Sequence, residues 1–279
     1  MKTTNNNIYI IIFLLSLSLS AFAQKRFVIL HTNDTHSRIE PLPETDRTHP
    51  GKGGVERRAS FLEQIRKQNN NVLLFDAGDF LQGTPYFNMF KGEIEVESMN
   101  LMGYDAVTLG NHEFDYGMEV LEKVVHLADF SIISSNYDFS ETTLKDLIKP
   151  FKIINKDGVR IGVIGINIQP RGLIATDNYK NVKYLDPLEQ ANKLAEKLRF
   201  QNKCDFIICL SHLGHSSDLK LAESSKNIDL IIGGHSHTYM KEPTIVKNID
   251  NKDVSIFQTS GRGVYVGRLD VEFEKVKKK

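Results

Sequence analysis

The chain predicts an α/β layered fold with mixed sheets, and three features carry that reading. Short apolar, strand-like runs alternate with stretches whose apolar residues recur at helical spacing. Between residues 151 and 166 two such runs flank Lys156-Asp157-Gly158, a turn sequence that makes an antiparallel pair. After residue 244 the patterning becomes period two, which reads as further antiparallel strands.

Taken in order, Phe27-Val28-Ile29-Leu30 is the first strand and runs into His31-Thr32-Asn33-Asp34-Thr35-His36. Residues 39–54, rich in Pro, Gly and charge, form a long surface loop. Apolar positions 55, 59, 62 and 65 set a helical stripe that ends near Lys67. Val72-Leu73-Leu74-Phe75 is a strand followed at once by Asp76-Ala77-Gly78-Asp79. Tyr86 to Met102 reads as one helix with Gly103 as its C-cap. Ala106 to Leu109 is a strand leading into Gly110-Asn111-His112-Glu113, and Leu121, Val124, Val125 and Ala128 form the face of the next helix.

Phe130 to Ser134 is a further strand, and the pair at 151–154 and 160–166 follows. Asp186-Pro187 opens a helix, because Pro at the first helical position is preset in φ. Leu188, Ala191, Leu194, Ala195 and Leu198 supply its core face. Asp205 to Leu210 and Ile228 to Ile232 are strands bracketing a short helix near Leu219. Ile245-Val246, Val254 to Phe257 and Val264 to Phe273 are the alternating tail, and Lys275 to Lys279 is a solvated end.

At 279 residues the chain can bury a large core. Nothing after residue 24 looks like a repeat, a linker or a low-complexity block, so residues 24–279 read as one domain. Basic and acidic residues balance at 35 each, which removes the cationic field that a nucleic-acid polymer would require. Residues 1–23 read as a secretory signal peptide: Lys2, an apolar run from Ile8 to Leu19, then Ala21-Phe22-Ala23 before Gln24. That run is shorter than the roughly 20 residues a bilayer demands, so cleavage is favoured over a stable membrane anchor. The mature protein is then expected to be exported, periplasmic or secreted. Cys204 and Cys209, the two cysteines present, lie roughly 16 Å apart on opposite faces of a strand and read as buried thiols.

Five loops hold the chemistry: Asp34-Thr35-His36, Gly78-Asp79, Gly110-Asn111-His112-Glu113, Ser211-His212 and Gly233-Gly234-His235-Ser236-His237. Each alone has a plain structural reading. An Asp-x-His is a capped turn, Asp79 a helix cap, Asn111 a left-handed turn residue, and His212 a packed histidine. Five such loops, each at or just after an apolar strand, argue jointly for a metal site built from strand ends. Carboxylates, imidazoles and one amide, with no cysteine, suit divalent Zn, Mn, Fe or Co. Eight coordination bonds satisfy two ions if one carboxylate bridges them, and ions about 3.5–4 Å apart form the usual clamp for phosphate-ester hydrolysis.

These five motifs, together with Ile29-Leu30 ahead of the first, resemble those of the calcineurin-like metallophosphoesterases. In detail they are similar to the bacterial 5′-nucleotidase / 2′,3′-cyclic phosphodiesterase branch, over residues 27–274. The resemblance implies a four-layer α-β-β-α sandwich with two mixed sheets and metals at strand ends. It implies Asp34, His36 and His237 as ligands of one ion, Asn111, His212 and His235 as ligands of the other, and Asp79 as the bridge. His112 matches the catalytic histidine and Asp115 the carboxylate that orients it. Attack on a small phosphoester by metal-bound hydroxide follows, with no Ser or Cys nucleophile. Glu113 is expected to order its loop and His31 to support the first. His215 lies further out, while His49 and His126 belong to the surface. Arg171 and Arg262 have loop positions from which a phosphate is within reach, with no other support.

The resemblance departs at the end of the chain. Full-length members of the branch carry a C-terminal domain with aromatic side chains that grip the base, and the sequence stops at Lys279. A separately encoded specificity domain is therefore one expectation for a partner. Two other readings stand beside an exported nucleotide phosphoesterase. One is a catalytically silent metal-binding subunit, and the other is hydrolysis of another ester, such as a thiosulfate ester.

Overall fold

The computed structural model describes residues 25–273. The expected signal peptide, residues 1–23, and the lysine-rich end, residues 275–279, lie outside the described residues. The first half runs β1 (Lys25–Thr32), α1 (Val55–Gln68), β2 (Val72–Asp76), α2 (Pro85–Phe90), α3 (Glu93–Met102), β3 (Ala106–Thr108), α4 (Gly117–Leu127), β4 (Ser131–Ile133) and β5 (Tyr137–Asp138). The second begins with β6 (Phe151–Lys156), β7 (Val159–Asn167), β8 (Lys183–Tyr184), α5 (Pro187–Glu196) and β9 (Phe206–His212). It closes with α6 (His215–Glu223), β10 (Leu230–Gly233), β11 (Thr244–Lys247), β12 (Asp253–Phe257) and β13 (Gly267–Phe273).

Side-chain alternation along the strands builds the layers. In β1, Phe27 and Ile29 face one core while Val28 and Leu30 face another, and β2 splits the same way. In β9, Ile208 and Leu210 join the core of Phe27 and Ile29, whereas Ile207 and Cys209 turn outward to a third. The shared core is therefore sheet on sheet. The outer cores are covered by α1 to α4 on one side and by α5 and α6 on the other. This is an α-β-β-α sandwich, as the motifs implied.

The first sheet is ordered β13-β1-β2-β3-β4, all parallel except β13. The second is ordered β11-β12-β10-β9-β7-β6, parallel at its centre with antiparallel β11 and β6 at its edges. β5 and β8 pair separately. Strands buried on both faces must be apolar throughout, which is why the central runs lack polar alternation. The carboxyl ends of the parallel strands carry the loops that meet at the functional site.

Local signals acted as expected at several joints. Asp157 (φ 48°) and Gly158 (φ 69°) form the two left-handed positions of the β6–β7 turn, the geometry whose twist suits a hairpin. The Asp186 carboxylate accepts from Glu189 N at 2.7 Å and caps α5. Two expectations need correction. The helix expected from Tyr86 to Met102 is two helices, because Lys91 (φ 53°) and Gly92 (φ 96°) both turn left-handed and end the first. The tail is not wholly antiparallel, since β12 lies parallel to β10. Among the described residues no helix is long and apolar enough to cross a membrane.

His31, in β1, is fully buried with neither ring nitrogen hydrogen-bonded, its ring edge-on to Phe257 at 5.0 Å. Burial pushes its pKa down to about 3 from an ordinary 6.5. The folded state thus keeps this ring neutral. Stability is fully present above pH 6.5 and is lost as pH falls towards 3, by about 2 kcal/mol at pH 5. Replacing His31→Leu should remove that component. The gap in unfolding free energy between the two proteins, followed by denaturant titration from pH 7.5 to pH 5, should change by that amount. Parallel pH profiles would refute the assignment.

Candidate metal centre

Five loops leave β1, β2, β3, β9 and β10 and fold onto one another. Asp34 (φ 50°), His36 (48°), Asp79 (56°), His235 (70°) and His237 (49°) all occupy the left-handed region. That backbone costs side-chain-bearing residues of order 1–3 kcal/mol each and persists where the surroundings dictate it. Here they do. Asp34 N donates to Gly78 O at 2.9 Å, His36 N to Asp79 O at 3.0 Å, and Ala77 N to Thr32 O at 3.0 Å. Two glycines let the loops close. A Cβ on Gly78 would lie 2.6 Å from Gly110 N, and one on Gly234 would lie 2.7 Å from Ala77 O.

The donor atoms converge in three groups, each within 4.8 Å: Asp34, His36 and His237; Asp79, His212 and His235; and His36, Asp79 and His112. His237 Nε2 is 3.3 Å from Asp34 Oδ1 and 3.0 Å from His36 Nε2. His212 Nε2 is 3.1 Å from Asp79 Oδ2 and 4.0 Å from Asp34 Oδ1. Asn111 Oδ1 joins the second group, 3.1 Å from His235 Nδ1. All seven side chains expected as ligands are thus brought to one place.

The ring of His212 tests whether this place suits a cation. Its Nδ1 lies 2.7 Å from Ala77 O, which holds a proton there and aims Nε2 at the two carboxylates. Nε2 is buried and faces Asp79 Oδ2 across 3.1 Å. A nitrogen and two carboxylates so arranged suit a shared divalent ion, and the residues fit one.

Electrostatics divide the histidines. Burial works against charge on His212, but Asp79 and Asp34 outweigh it and push its pKa up to about 10. Burial likewise opposes charge on Asp79, and His212, His112 and His36 hold its carboxyl far below the usual range. Burial lowers His36 and His235, while the bond to Asp34 raises His237. His112 stands apart at the mouth. Its Nδ1 is 2.8 Å from Asp115 Oδ2, and that bond lifts its pKa to about 8. Its backbone N also donates to Asp79 Oδ1 at 2.9 Å.

Behind the donors stands a polar frame. The Glu113 carboxylate accepts from the backbone N–H groups of Gly110, Asp79 and Leu81, so it ties the second loop to the third. Asn33 Nδ2 donates to Asp34 Oδ2 at 2.6 Å, and its Oδ1 accepts from Thr259 N at 2.8 Å. Gln258 Nε2 donates to Gly234 O at 2.7 Å, and its Oε1 accepts from Ser236 Oγ at 3.0 Å. Asp76 receives Gly78 N at 2.8 Å and Thr32 Oγ1 at 2.5 Å. Sequence reading singled out Glu113 but missed Asn33, Gln258 and Asp76. Asp76 and Asn33 adjoin motif residues, whereas Gln258 is brought in by sheet order alone.

The remaining candidates fall outside. Arg262 is committed to Asp46 at 2.7 Å and Thr48 at 2.9 Å. Arg171 sits exposed in a bridge to Ile174. His126 is exposed, and His49 is half-buried against Tyr265. His215 N bonds Ser236 Oγ at 3.0 Å, next to the donors rather than among them.

Comparison with known proteins gives the family and the fold. The snake venom 5′-nucleotidase of Gloydius brevicauda is 35% identical over 266 residues, 88% of this chain and 45% of that protein. The solved 5′-nucleotidase precursor from Thermus thermophilus superposes with a TM-score of 0.83 at 35% identity, over 90% of this chain and 52% of that one. The calcineurin-like phosphoesterase YfkN from Bacillus subtilis superposes with a TM-score of 0.76 at 29% identity, over 91% of this chain and 87% of that one. The chain spans about half the length of the two 5′-nucleotidases. The calcineurin-like phosphoesterase profile matches residues 27–239, and the chain belongs to that family.

Proposed function

We propose that this chain is the catalytic part of an exported, two-metal phosphoesterase that hydrolyses phosphate esters of the 5′-nucleotide class. The observation that carries the reading is the convergence of seven donor side chains from both sheets on one edge. Asp34, His36 and His237 would hold one divalent ion, Asn111, His212 and His235 the other, with Asp79 shared between them. Zn, Mn, Fe and Co all suit this donor set. Such a pair supplies an activated water near neutral pH and polarises phosphoryl oxygens. The nucleotide class is suggested by the 5′-nucleotidase relatives, and export by the leader-like residues 1–23.

The protein's own contribution lies at His112. Its Nδ1 is engaged by Asp115, so Nε2 is free to present a proton to the phosphoryl or leaving oxygen. A pKa near 8 keeps that proton in place at neutral pH. Asp115 acts through the ring, fixing its orientation and favouring its charged form.

Asp79→Asn should lower occupancy at both metal positions together, because it takes charge from the shared ligand. Elemental analysis of metal-replete protein checks this, and loss from one position alone would exclude a bridging role.

His112→Ala should cut kcat by about 10²–10⁴-fold with metal content intact. Asp115→Asn should lose less. It should also shift the alkaline limb of the kcat profile to lower pH, since the bond that raises His112 is weakened. An unchanged rate in His112→Ala would overturn the mechanism.

The chain alone should cleave activated phosphoesters with little preference for nucleotides, if the base-gripping wall comes from a separate domain. Base stacking on aromatic side chains is worth about 1–3 kcal/mol, so its lack weakens nucleotide binding roughly 5–150-fold. Steady-state kinetics on both substrates decide the matter. A micromolar KM for a 5′-nucleotide beside poor turnover of simple esters would show that this domain carries its own specificity pocket.

A further inference from the structure

A second site lies away from the metal centre. A cavity of about 540 Å³ opens between the start of α1 and residues 263–266, with Lys52, Arg57, Arg58 and Tyr265 in its wall and no acidic side chain. Arg58 is the anomaly. It is 8% exposed, yet among the described residues its guanidinium has no hydrogen-bond or ion-pair partner, and its Nε is sealed from solvent. Its Nη1 comes up to Gly263, where a Cβ would lie 2.8 Å away. The Asp76 carboxylate feels its charge but is already bonded to Thr32 and Gly78. A much smaller cavity of about 10 Å³, on another side of Arg58, is lined also by Glu95, whose Oε2 is buried without a partner, and is at the lower limit for one water between them. Only Nε of Arg58 is sealed without a partner; the rest of the guanidinium meets the larger cavity, where no carboxylate faces it.

The surroundings favour an anion. α1 begins at the glycine turn with no side-chain cap; Val55 N is taken by Ile39 O and Glu56 sits in the first turn, so the helix adds to the cavity only its remaining first-turn amides beside Arg57 and Arg58. Lys52 and Arg57 stand exposed at its rim, and Arg57 Nη1 is fixed by Gly51 O. Glu44 packs on Gly51 but does not line the cavity. Tyr265 offers an aromatic wall, tilted against Tyr239 at 4.7 Å. We propose that this cavity binds a phosphate group. Arg58 and the α1 N-terminus hold the anion, with Lys52 and Arg57 drawing it in and Tyr265 beside any organic part. The site stands independently of the reading of the metal centre.

Equilibrium dialysis of the full chain against labelled inorganic phosphate tests this. Wild type should show a saturable site beyond any phosphate taken by the metal centre. Arg58→Met should weaken that site about tenfold or more, the scale of a lost charge-assisted hydrogen bond. The exposed double variant Lys52→Gln/Arg57→Gln, which cannot unsettle the core, should weaken the site several-fold. Isotherms that coincide for wild type and both variants would overturn the proposal. A non-hydrolysable nucleoside phosphonate as competitor separates the sources of the phosphate. Displacement tighter than by phosphate and lost in Tyr265→Ala supports a nucleotide, and equal displacement supports inorganic phosphate.

Discussion

Burying two carboxylates beside each other is the constraint on which the centre depends. Asp34 and Asp79 are 0% and 2% exposed, and both lie within 4.0 Å of His212 Nε2. Such charge stands in a low-dielectric interior only when donors and cations surround it. The loops provide them. Asn33 Nδ2 and His235 N reach Asp34, and His112 N reaches Asp79. The left-handed turns at five donor residues follow from the same demand, because they aim backbone N–H groups and side chains inward together.

Exposure is graded across the site, and His237, with 47% of its side chain exposed, is more open than His112. Asp34 and His212 are sealed, while the side chains of His112 and Asp115 are 31% and 35% exposed. The deep groups are fixed by backbone bonds from neighbouring loops. The outer pair makes a single bond to each other, so its imidazole remains open to solvent and to a ligand.

Much of this was legible in the chain because its physics is local. Period-two and period-3.6 patterning located the main strands and helices, and Asp186 and Gly158 marked their own turns. The donors were legible because each follows a strand on the same edge. What escaped was non-local. The break at Lys91-Gly92 was hidden by apolar residues continuing on both sides of it. Alternation in β12 reported which residues are buried, but not that β10 runs beside it in the same direction. Gln258 carries no motif of its own, and its bond to the Gly234 carbonyl exists only through that pairing.

The donors also come from both ends of the chain. Each proposed set joins residues before 112 to residues after 211, across the junction of the two sheets. During synthesis, neither set can be complete until residue 235 or 237 has emerged. The early half, left alone, offers only part of each coordination sphere. The centre is therefore a product of the completed fold and of neither half by itself.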